Sequence, residues 1–250
     1  ACIGADGSFP NDTFAMDFFG ATLETNNLGA KGGMGSKDVY GLYNPVPGAD
    51  HVIKYAGIGV YNGRSIDLVV SNLTAYKPNN PNNNGVNGQF GQINLGVRSE
   101  DMDNGGELNS GDVNSVRLKF EFMFGDTGLP AVISQFAFSF FDFDDEGFTD
   151  ANGNIVGHEC LKLYTDYSSS EMDNQYRLTL TETNAGGNPT KFCSQGSGGK
   201  GADNPSDPSE ATFNTWTAGT KGEHVARHAV KFVYAGVSEI ELEYSVGCCG

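Results

Sequence analysis

Apolar and polar residues alternate along most of this chain. In SVRLKFEFMF, residues 115–124, Val116, Leu118, Phe120, Phe122 and Phe124 share one face, and Arg117, Lys119 and Glu121 share the other. SEIELEYSV, residues 238–246, sets Ile240, Leu242, Tyr244 and Val246 against three glutamates. HVIKYAGIGVY, SIDLVVSNL, QINLGV, VISQFAFSF, LKLYTDY and YRLTLTET are further segments of strand length. Period-two runs bounded by Gly, Asn and Asp predict half-buried antiparallel strands, and helical periodicity is nearly absent. With 35 Gly and 9 Pro to supply turns, the expected fold is an all-β antiparallel sandwich of jelly-roll type.

The ends of this pattern differ from its middle. The first 35 residues carry TFAMDFF (13–19), in which Phe14, Met16 and Phe18 alternate with Ala15 and Asp17, and then the glycine-rich NNLGAKGGMGSK (26–37). The expected organisation is an arm and hinge over 1–35 and a sandwich over 36–250. A strand on such a tether completes its own sandwich or the open edge of a neighbour's. Two polar loops interrupt the strands, YKPNNPNNNGVNGQ (76–89) and SQGSGGKGADNPSDPSE (194–210). The second lacks the spacing of a phosphate-binding loop, since Ser194 stands at the first glycine position and Gly201 follows Lys200.

Charge narrows the partners. Asp and Glu number 31 against 15 Lys and Arg, a formal net charge of −16. Nothing in that balance suits nucleic acid or an anionic membrane surface. No apolar run approaches the roughly 18 residues of a membrane span, and the opening ACIGADG reads as an already processed start. Asn11 in NDT and Asn72 in NLT are N-glycosylation acceptors by pattern. Asn72 shares parity with Ile66, Leu68 and Val70, so its accessibility requires the strand to end near Val70. The five cysteines, Cys2, Cys160, Cys193, Cys248 and Cys249, form no CxxC pair and read as disulfide partners in an oxidising compartment. Cys160 and Cys193 bracket a strand near 175–183, whose two neighbours a bridge would tie. The vicinal Cys248 and Cys249 are poor partners for each other, so one of them is expected to meet Cys2.

The candidate chemistry is concentrated in FSFFDFDDEGFTDANGNIVGHE, residues 138–159. Parity sets Phe136, Phe138 and Phe140 in one row that Asp142 and Asp144 continue, so the row leaves the core at the rim. Asp150, Asn152 and Asn154 then alternate through a glycine-containing loop, with Glu159 beyond. Alternating oxygen donors of this kind suit a hard cation with six to eight oxygen ligands, and calcium is the expected ion. A solvated strand end is the plain alternative. A glycosidase pair is another, because Asp142, Asp144 and Glu146 also alternate. Such clefts are tryptophan-lined, however, and the chain has only Trp216. His224 and His228 have the i,i+4 spacing of a zinc helix, but the sequence around them alternates as a strand and lacks HExxH. No catalytic residue is assigned.

Several segments in order carry a family resemblance: FAFSFFDFDDEG, GHECLKLYTDYSS, YRLTLTET, DNPSDPSE and HAVKFVYAGVSEIELEYSVG, preceded by DLVVSNLTAYKPNN and NGVNGQFGQINL. Over roughly residues 40–247 the chain resembles a secreted β-sandwich module of aquatic protists and algae. The resemblance implies an extracellular, often glycosylated coat or appendage protein without known enzymatic activity, which in some members assembles into filaments. It sets Asp142, Asp144 and Glu159 in the acidic-loop positions. The terminal CCG departs from its pattern. The expected function is a structural subunit of an extracellular glycosylated filament or cell-surface coat, with itself and covalent N-glycans as partners. The alternatives are a calcium-dependent carbohydrate-binding module, with the Asn-rich loop 76–89 for hydroxyls and Tyr40, Tyr43 and Trp216 for stacking, and a glycan hydrolase.

Overall fold

The computed structural model describes residues 13–29, 35–37, 43–45, 51–95 apart from 77 and 79, 113–143, 157–195, 204–210, 216–218 and 220–248. The chain folds as an all-β sandwich of two unequal sheets. The larger runs, in spatial order, through Leu178–Thr183 (β13), Pro189–Ser194 (β14), Gly157–Leu163 (β11), Glu239–Cys248 (β16), Val113–Phe124 (β9), Arg64–Asn72 (β6), Val52–Tyr61 (β5) and Thr22–Asn26 (β2). The smaller runs through Thr13–Phe14 (β1), Ile133–Phe140 (β10), Val230–Val237 (β15) and Ser169–Glu171 (β12). Two short hairpins complete the strands, Gly35–Lys37 (β3) with Tyr43–Pro45 (β4) and Gly85–Asn87 (β7) with Phe90–Gln92 (β8).

The alternation places the core as expected. Val116, Leu118, Phe120 and Phe122 of β9 are buried, as are Ile240, Leu242 and Val246 of β16. Aromatic pairs weld the sheets: Phe120 meets Phe138 at 5.4 Å and Phe122 meets Phe136 at 4.6 Å between ring centroids. Such offset contacts add about 0.5–1.5 kcal/mol each beyond area burial. Phe124, last in its row, is half-buried under the Arg64 guanidinium, 3.6 Å from its centroid. In β5 the parity shifts after Tyr55, so that Ile58 and not Gly57 faces inward. Gly57 supplies the positive φ of 71° that the bulge needs. The buried carboxylate of Asp67 holds it there by accepting from Gly57 N at 2.9 Å and pairing with Lys54 at 3.0 Å.

Several expectations change. QINLGV is not a strand over 93–95, because β8 ends at Gln92 and the chain turns inward to bury Leu95. The segment around His224 and His228 is a helix, Lys221–Arg227 (α1), and not an alternating strand. Three of its residues, Glu223, Val225 and Ala226, are shielded, and an i,i+4 ion pair between Arg227 and Glu223 at 2.7 Å supports it. His224 is exposed and His228 is buried at its C-terminal cap. β6 continues through Asn72, within the expected segment and two residues past the end near Val70 that Asn72's accessibility required. Asn72 is half-buried there, and its Nδ2 donates to the Thr74 carbonyl at 2.8 Å.

Cys160 and Cys193 are joined by a disulfide. The reason differs from the one expected. β13 lies outside β14, so the bridge spans no intervening strand and links direct ladder partners on β11 and β14. Cys2 and Cys249 lie outside the described residues, as does the side chain of Cys248.

The N-terminal segment, expected as an arm, is seated on its own sandwich over residues 13–29. β1 lies parallel on the outer edge of β10, and β2 is the antiparallel edge of the larger sheet. Leu28 is fully buried. Of the expected hinge, residues 26–29 are part of this seat and Gly35–Lys37 forms β3, and residues 30–34 lie outside the described residues.

Two stability tests follow. Replacing Cys160 and Cys193 together by Ala opens a 33-residue loop, which in the chain-entropy model costs roughly 3–4 kcal/mol; urea denaturation measures it. Tyr234 is fully buried, and its hydroxyl has no hydrogen-bond partner among the described residues. Tyr234→Phe is therefore expected to leave stability unchanged or to raise it by about 1 kcal/mol, whereas a loss would show that the hydroxyl has a partner.

Candidate functional site

The wide sheet outruns the narrow one, and a cavity of about 320 Å³ lies where its inner face continues past β10. Its floor is the larger sheet's inner row: Leu68 and Val70 of β6, Leu118 and Phe120 of β9, Leu161 of β11 and Leu242 of β16. Phe138 and Phe140 of β10 form one wall, and Phe18 and Tyr55 another. The rim is polar. It carries the amides of Asn83, Asn87, Gln92 and Asn94 on one side, and Asp142, Glu159 and Asn204 on the other.

The amide side is built by the Asn-rich loop folding over the sheet, with Asn84 as its hub. Asn84 is almost wholly buried. Its Nδ2 donates to the Leu28 carbonyl at 3.1 Å, and its Oδ1 accepts from Asn94 N at 2.7 Å. The Tyr76 hydroxyl lies 3.0 Å from that oxygen and donates to the Asn94 carbonyl. Asn26 of β2 donates to the Asn84 carbonyl, and the Tyr55 hydroxyl donates to the Gly85 carbonyl at 2.6 Å. Burial pushes the Tyr55 and Tyr76 phenols well above their ordinary range. Both stay protonated and keep donating. Of the amides expected to meet sugar hydroxyls, Asn84 is therefore committed to the loop itself, as is Asn80, whose Oδ1 accepts from Asn82 N at 3.1 Å and whose Nδ2 donates to Asn83 Oδ1 at 3.3 Å.

The acidic side comes from three separate segments. β10 ends at Phe140, and Asp142 then takes a left-handed φ of 70°. The expected Phe-to-Asp row is thus broken by a turn, which also sends Phe143 into the core. Asn204 Nδ2, with its amide turned toward the carboxylate, donates to both Asp142 oxygens at 2.6 and 3.0 Å. Glu159 shares the inner face of β11 with Leu161 and Leu163 and is only 6% exposed. Its backbone N–H donates to the Ser194 hydroxyl at 3.0 Å. The segment that carries Asn204 is pinned to the hairpin: Gln89 N donates to the Ser206 carbonyl at 2.8 Å, and Gln89 Nε2 to Asp207 at 2.6 Å. Glu210 in turn accepts from Ser206 N at 2.8 Å and pairs with Lys221 of α1 at 3.1 Å. The Ser206 backbone bond, then the lysine, hold its carboxyl below the usual range.

Of the six residues expected to bind calcium, the structure brings Asp142 and Glu159 to one cavity. Asp144, Asp150, Asn152 and Asn154 lie outside the described residues. Among the described residues no group of three or more His, Cys, Asp and Glu is arranged to hold a metal ion. Asn11 and Tyr40 also lie outside them, as does the side chain of Tyr43. Trp216 is not a free stacking face. Its Nε1 donates to the buried Asp173 at 2.6 Å, and the Arg227 guanidinium sits 4.9 Å from its ring centroid. Sequence reasoning missed Asn204, Gln92 and Asn94, which come to the site only through tertiary folding.

No family model and no curated protein matches the chain. Among solved structures, the N-terminal domain of a Streptococcus gordonii adhesin is similar at TM-score 0.40 and 12% identity, over 79% of this chain and 45% of that one. The chain spans less than half the length of that structure, and a likeness of this degree carries no argument.

Two outcomes test the rim. Asn84→Ala leaves buried donors and acceptors without partners, so a loss of about 2–3 kcal/mol is expected in urea denaturation. Glu210 has a depressed folded pKa, so its contribution is fully present above the unfolded value and is lost as pH falls through the folded one. Amide hydrogen exchange across 204–210 should be slow at neutral pH and accelerate selectively below the usual carboxylate range, after correction for intrinsic rates.

Proposed function

We propose that the chain is a structural subunit of an extracellular glycosylated filament or cell-surface coat, assembling through β-strand edge pairing. The observation that carries this reading is the seat of Phe14. The ring is 2% exposed and meets Phe122 and Tyr61 edge-on, each at 6.3 Å. Gly59 makes room for it, since a Cβ there would stand 2.7 Å from the ring. Yet this core anchor hangs on a strand of two residues, laid parallel on the edge of an otherwise antiparallel sheet. β10 is eight residues long, and among the described residues Gln135 and Phe136 have a β1 partner. The edge of a sheet is a template for strand addition, and a short anchor in a shaped socket is what one copy can lend to another.

Exposure around the seat supports the same reading. Val60 and Val132, next in the chain to Gly59 and Ile133, are 67% and 59% exposed, and Phe19 is 76% exposed. Head-to-tail donation does not close on itself and propagates into a fibre. The disulfide supports an oxidising, extracellular setting, and no described helix is long and apolar enough to cross a membrane. The resemblance to secreted sandwich modules supports glycosylation, for which Asn11 is the acceptor by pattern, Asn72 being half-buried within β6. The alternating oxygen donors between Asp142 and Glu159 support a calcium ion at the rim acids. Calcium in place of EDTA should then raise the melting temperature.

The exchangeable part is residues 1–17, because β2, Leu28 and Asn84 hold the segment that follows. A variant lacking 1–17 keeps Phe18 and β2. It is expected to give no fibres in negative-stain microscopy, and a synthetic peptide of residues 1–17 added in excess should shorten the fibres of the full chain. Fibres of normal length from the truncated chain, or full-chain fibres indifferent to the peptide, would overturn the proposal.

A further inference from the structure

We propose that Asp67 is the positioning residue of the socket that holds the N-terminal strand. Its consequence for assembly rests on the proposed strand exchange, whereas its geometry belongs to the folded-back subunit.

The seat of residues 13–17 is narrow in register. A Cβ at Gly59 would stand 2.7 Å from the Phe14 ring and 2.6 Å from the Ala15 carbonyl oxygen. A slip of β5 by one residue would bring the side chain of Ile58 or Val60 to that point and close it. Two further contacts need the same phase. Asp17 N donates to the Ile58 carbonyl at 2.7 Å, and the Tyr61 ring meets Phe14 edge-on at 6.3 Å.

This phase is not the one in which β5 begins. Its first half pairs Tyr55 with Leu68, a register that, continued, would set Gly57 opposite Ile66 and Gly59 opposite Arg64. Instead Gly59 pairs with Ile66 and Tyr61 with Arg64. Between the two registers β5 runs through Ala56, Gly57 and Ile58, while β6 runs through Asp67 alone. Extra residues of this kind lose their ladder partners and need others. Asp67 supplies one, its Oδ1 accepting from Gly57 N at 2.9 Å. Gly125 leaves room for that oxygen, since a Cβ there would stand 2.9 Å from it.

The carboxylate is itself anchored. It is 5% exposed, and a shielded charge persists only when paired. Lys54 Nζ lies 3.0 Å from Asp67 Oδ2 and 2.8 Å from Glu24 Oε2. Glu24 is an extra residue in β2, between Leu23 opposite Tyr55 and Thr25 opposite Lys54. One ammonium therefore ties the irregularities of both strands. The held loop of β5 meets the N-terminal segment twice, at Ala56 with Thr22 and at Ile58 with Asp17. Asp67 alternates with the inward Ile66 and Leu68 and so faces away from Phe14. Its influence on the seat passes through the bulge.

Residue-resolved amide exchange on the full chain tests this, with the Asp17 amide as reporter. Asp67→Ala removes the acceptor and is expected to speed exchange at Asp17 tenfold or more. Asp67→Asn keeps an Oδ1 acceptor and should hold Asp17 within threefold of the unaltered chain. Replacing Cys160 and Cys193 by Ala weakens the far side of the larger sheet. It should speed the amides of β9 and β16 without speeding Asp17. Should Asp67→Ala fail to fold, Gly57→Ala stands in. Its methyl meets nothing nearer than Ser65 Oγ at 3.8 Å, yet the φ of 71° disfavours any Cβ. Asp17 should then exchange at least threefold faster. The inference is overturned if Asp17 is unchanged in the variant that folds, or if Asp67→Asn or the disulfide-free chain speeds it equally. Negative-stain microscopy of the same chains tests strand exchange separately, with fewer or shorter fibres expected wherever Asp17 is freed. Normal fibres from such a chain, or none from the unaltered one, would overturn the exchange and leave the role of Asp67 standing.

Discussion

A sheet eight strands wide has an inner face that a partner of four strands, two of them only two and three residues long, cannot cover. Apolar side chains along that face must nonetheless be kept from water, at about 25 cal/mol for every Å² left bare. The rest of the fold answers this mismatch. At the centre, Phe136, Phe138, Phe232 and Tyr234 of β10 and β15 interlock with Phe120, Phe122 and Phe192 of the larger sheet. Beyond them the cover is improvised from loops. The N-terminal segment contributes Phe14, Phe18 and Leu28, and the Asn-rich loop contributes Tyr76 and Leu95.

Loops can serve as cover only if their backbone polar groups are satisfied, since buried N–H and C=O groups without partners are expensive. This explains a buried asparagine amid so much aromatic surface. Asn84 does locally what a ladder does for a strand, bonding Leu28 on one side and Asn94 on the other. Tyr55 and Tyr76 each bury a ring in the core and spend the hydroxyl on loop carbonyls. The hub also joins β2 to the Asn-rich loop through Asn26, so the larger sheet's edge and the cavity's amide rim are stabilised together.

This division between sheet and loop also sets what could be read from the sequence. β9 and β16 were legible because one face is buried and the other wet, which forces Val116 to Phe122 and Ile240 to Val246 into strict alternation. β5 was legible as a strand but not in phase, because a single bulge at Gly57 depends on Asp67 from the neighbouring strand. α1 was not legible: seven residues are too few for a helical period to show, and it is stabilised by the Arg227–Glu223 ion pair and by Trp216 against Arg227, which leave no apolar period. Asp142 and Glu159 were singled out by residue type. That both would line one cavity depends on a left-handed turn at 142 and on the position of β11 between β14 and β16, and neither leaves a periodic mark. The 85–92 hairpin was legible as a turn-forming stretch and Asn204 as part of a polar loop, but nothing in either sets the two beside each other at one cavity.

The same mismatch separates two fates within the N-terminal segment. Residues 22–29 are held by a ladder to β5, by the burial of Leu28 and by two amide bonds to Asn84. Among the described residues, 13–17 are held by Phe14, a two-residue ladder and one further backbone bond, from Asp17 N to the Ile58 carbonyl. Between them Asp17 caps a tight turn, its Oδ1 accepting from Phe19 N at 2.9 Å and Gly20 N at 3.2 Å. A local bond set of this kind forms equally well whichever copy's core receives Phe14, because both of its acceptor bonds lie within residues 17–20. The socket, for its part, is shaped by Gly59, Tyr61, Phe122 and Phe136, all of which belong to strands β5, β9 and β10 and none to β1. Attachment is therefore strong per side chain and weak per residue of backbone. That combination lets a strand leave one edge and seat on an identical one with little difference in free energy, so that concentration and geometry, rather than contact energy, decide between the folded-back subunit and the chain of subunits.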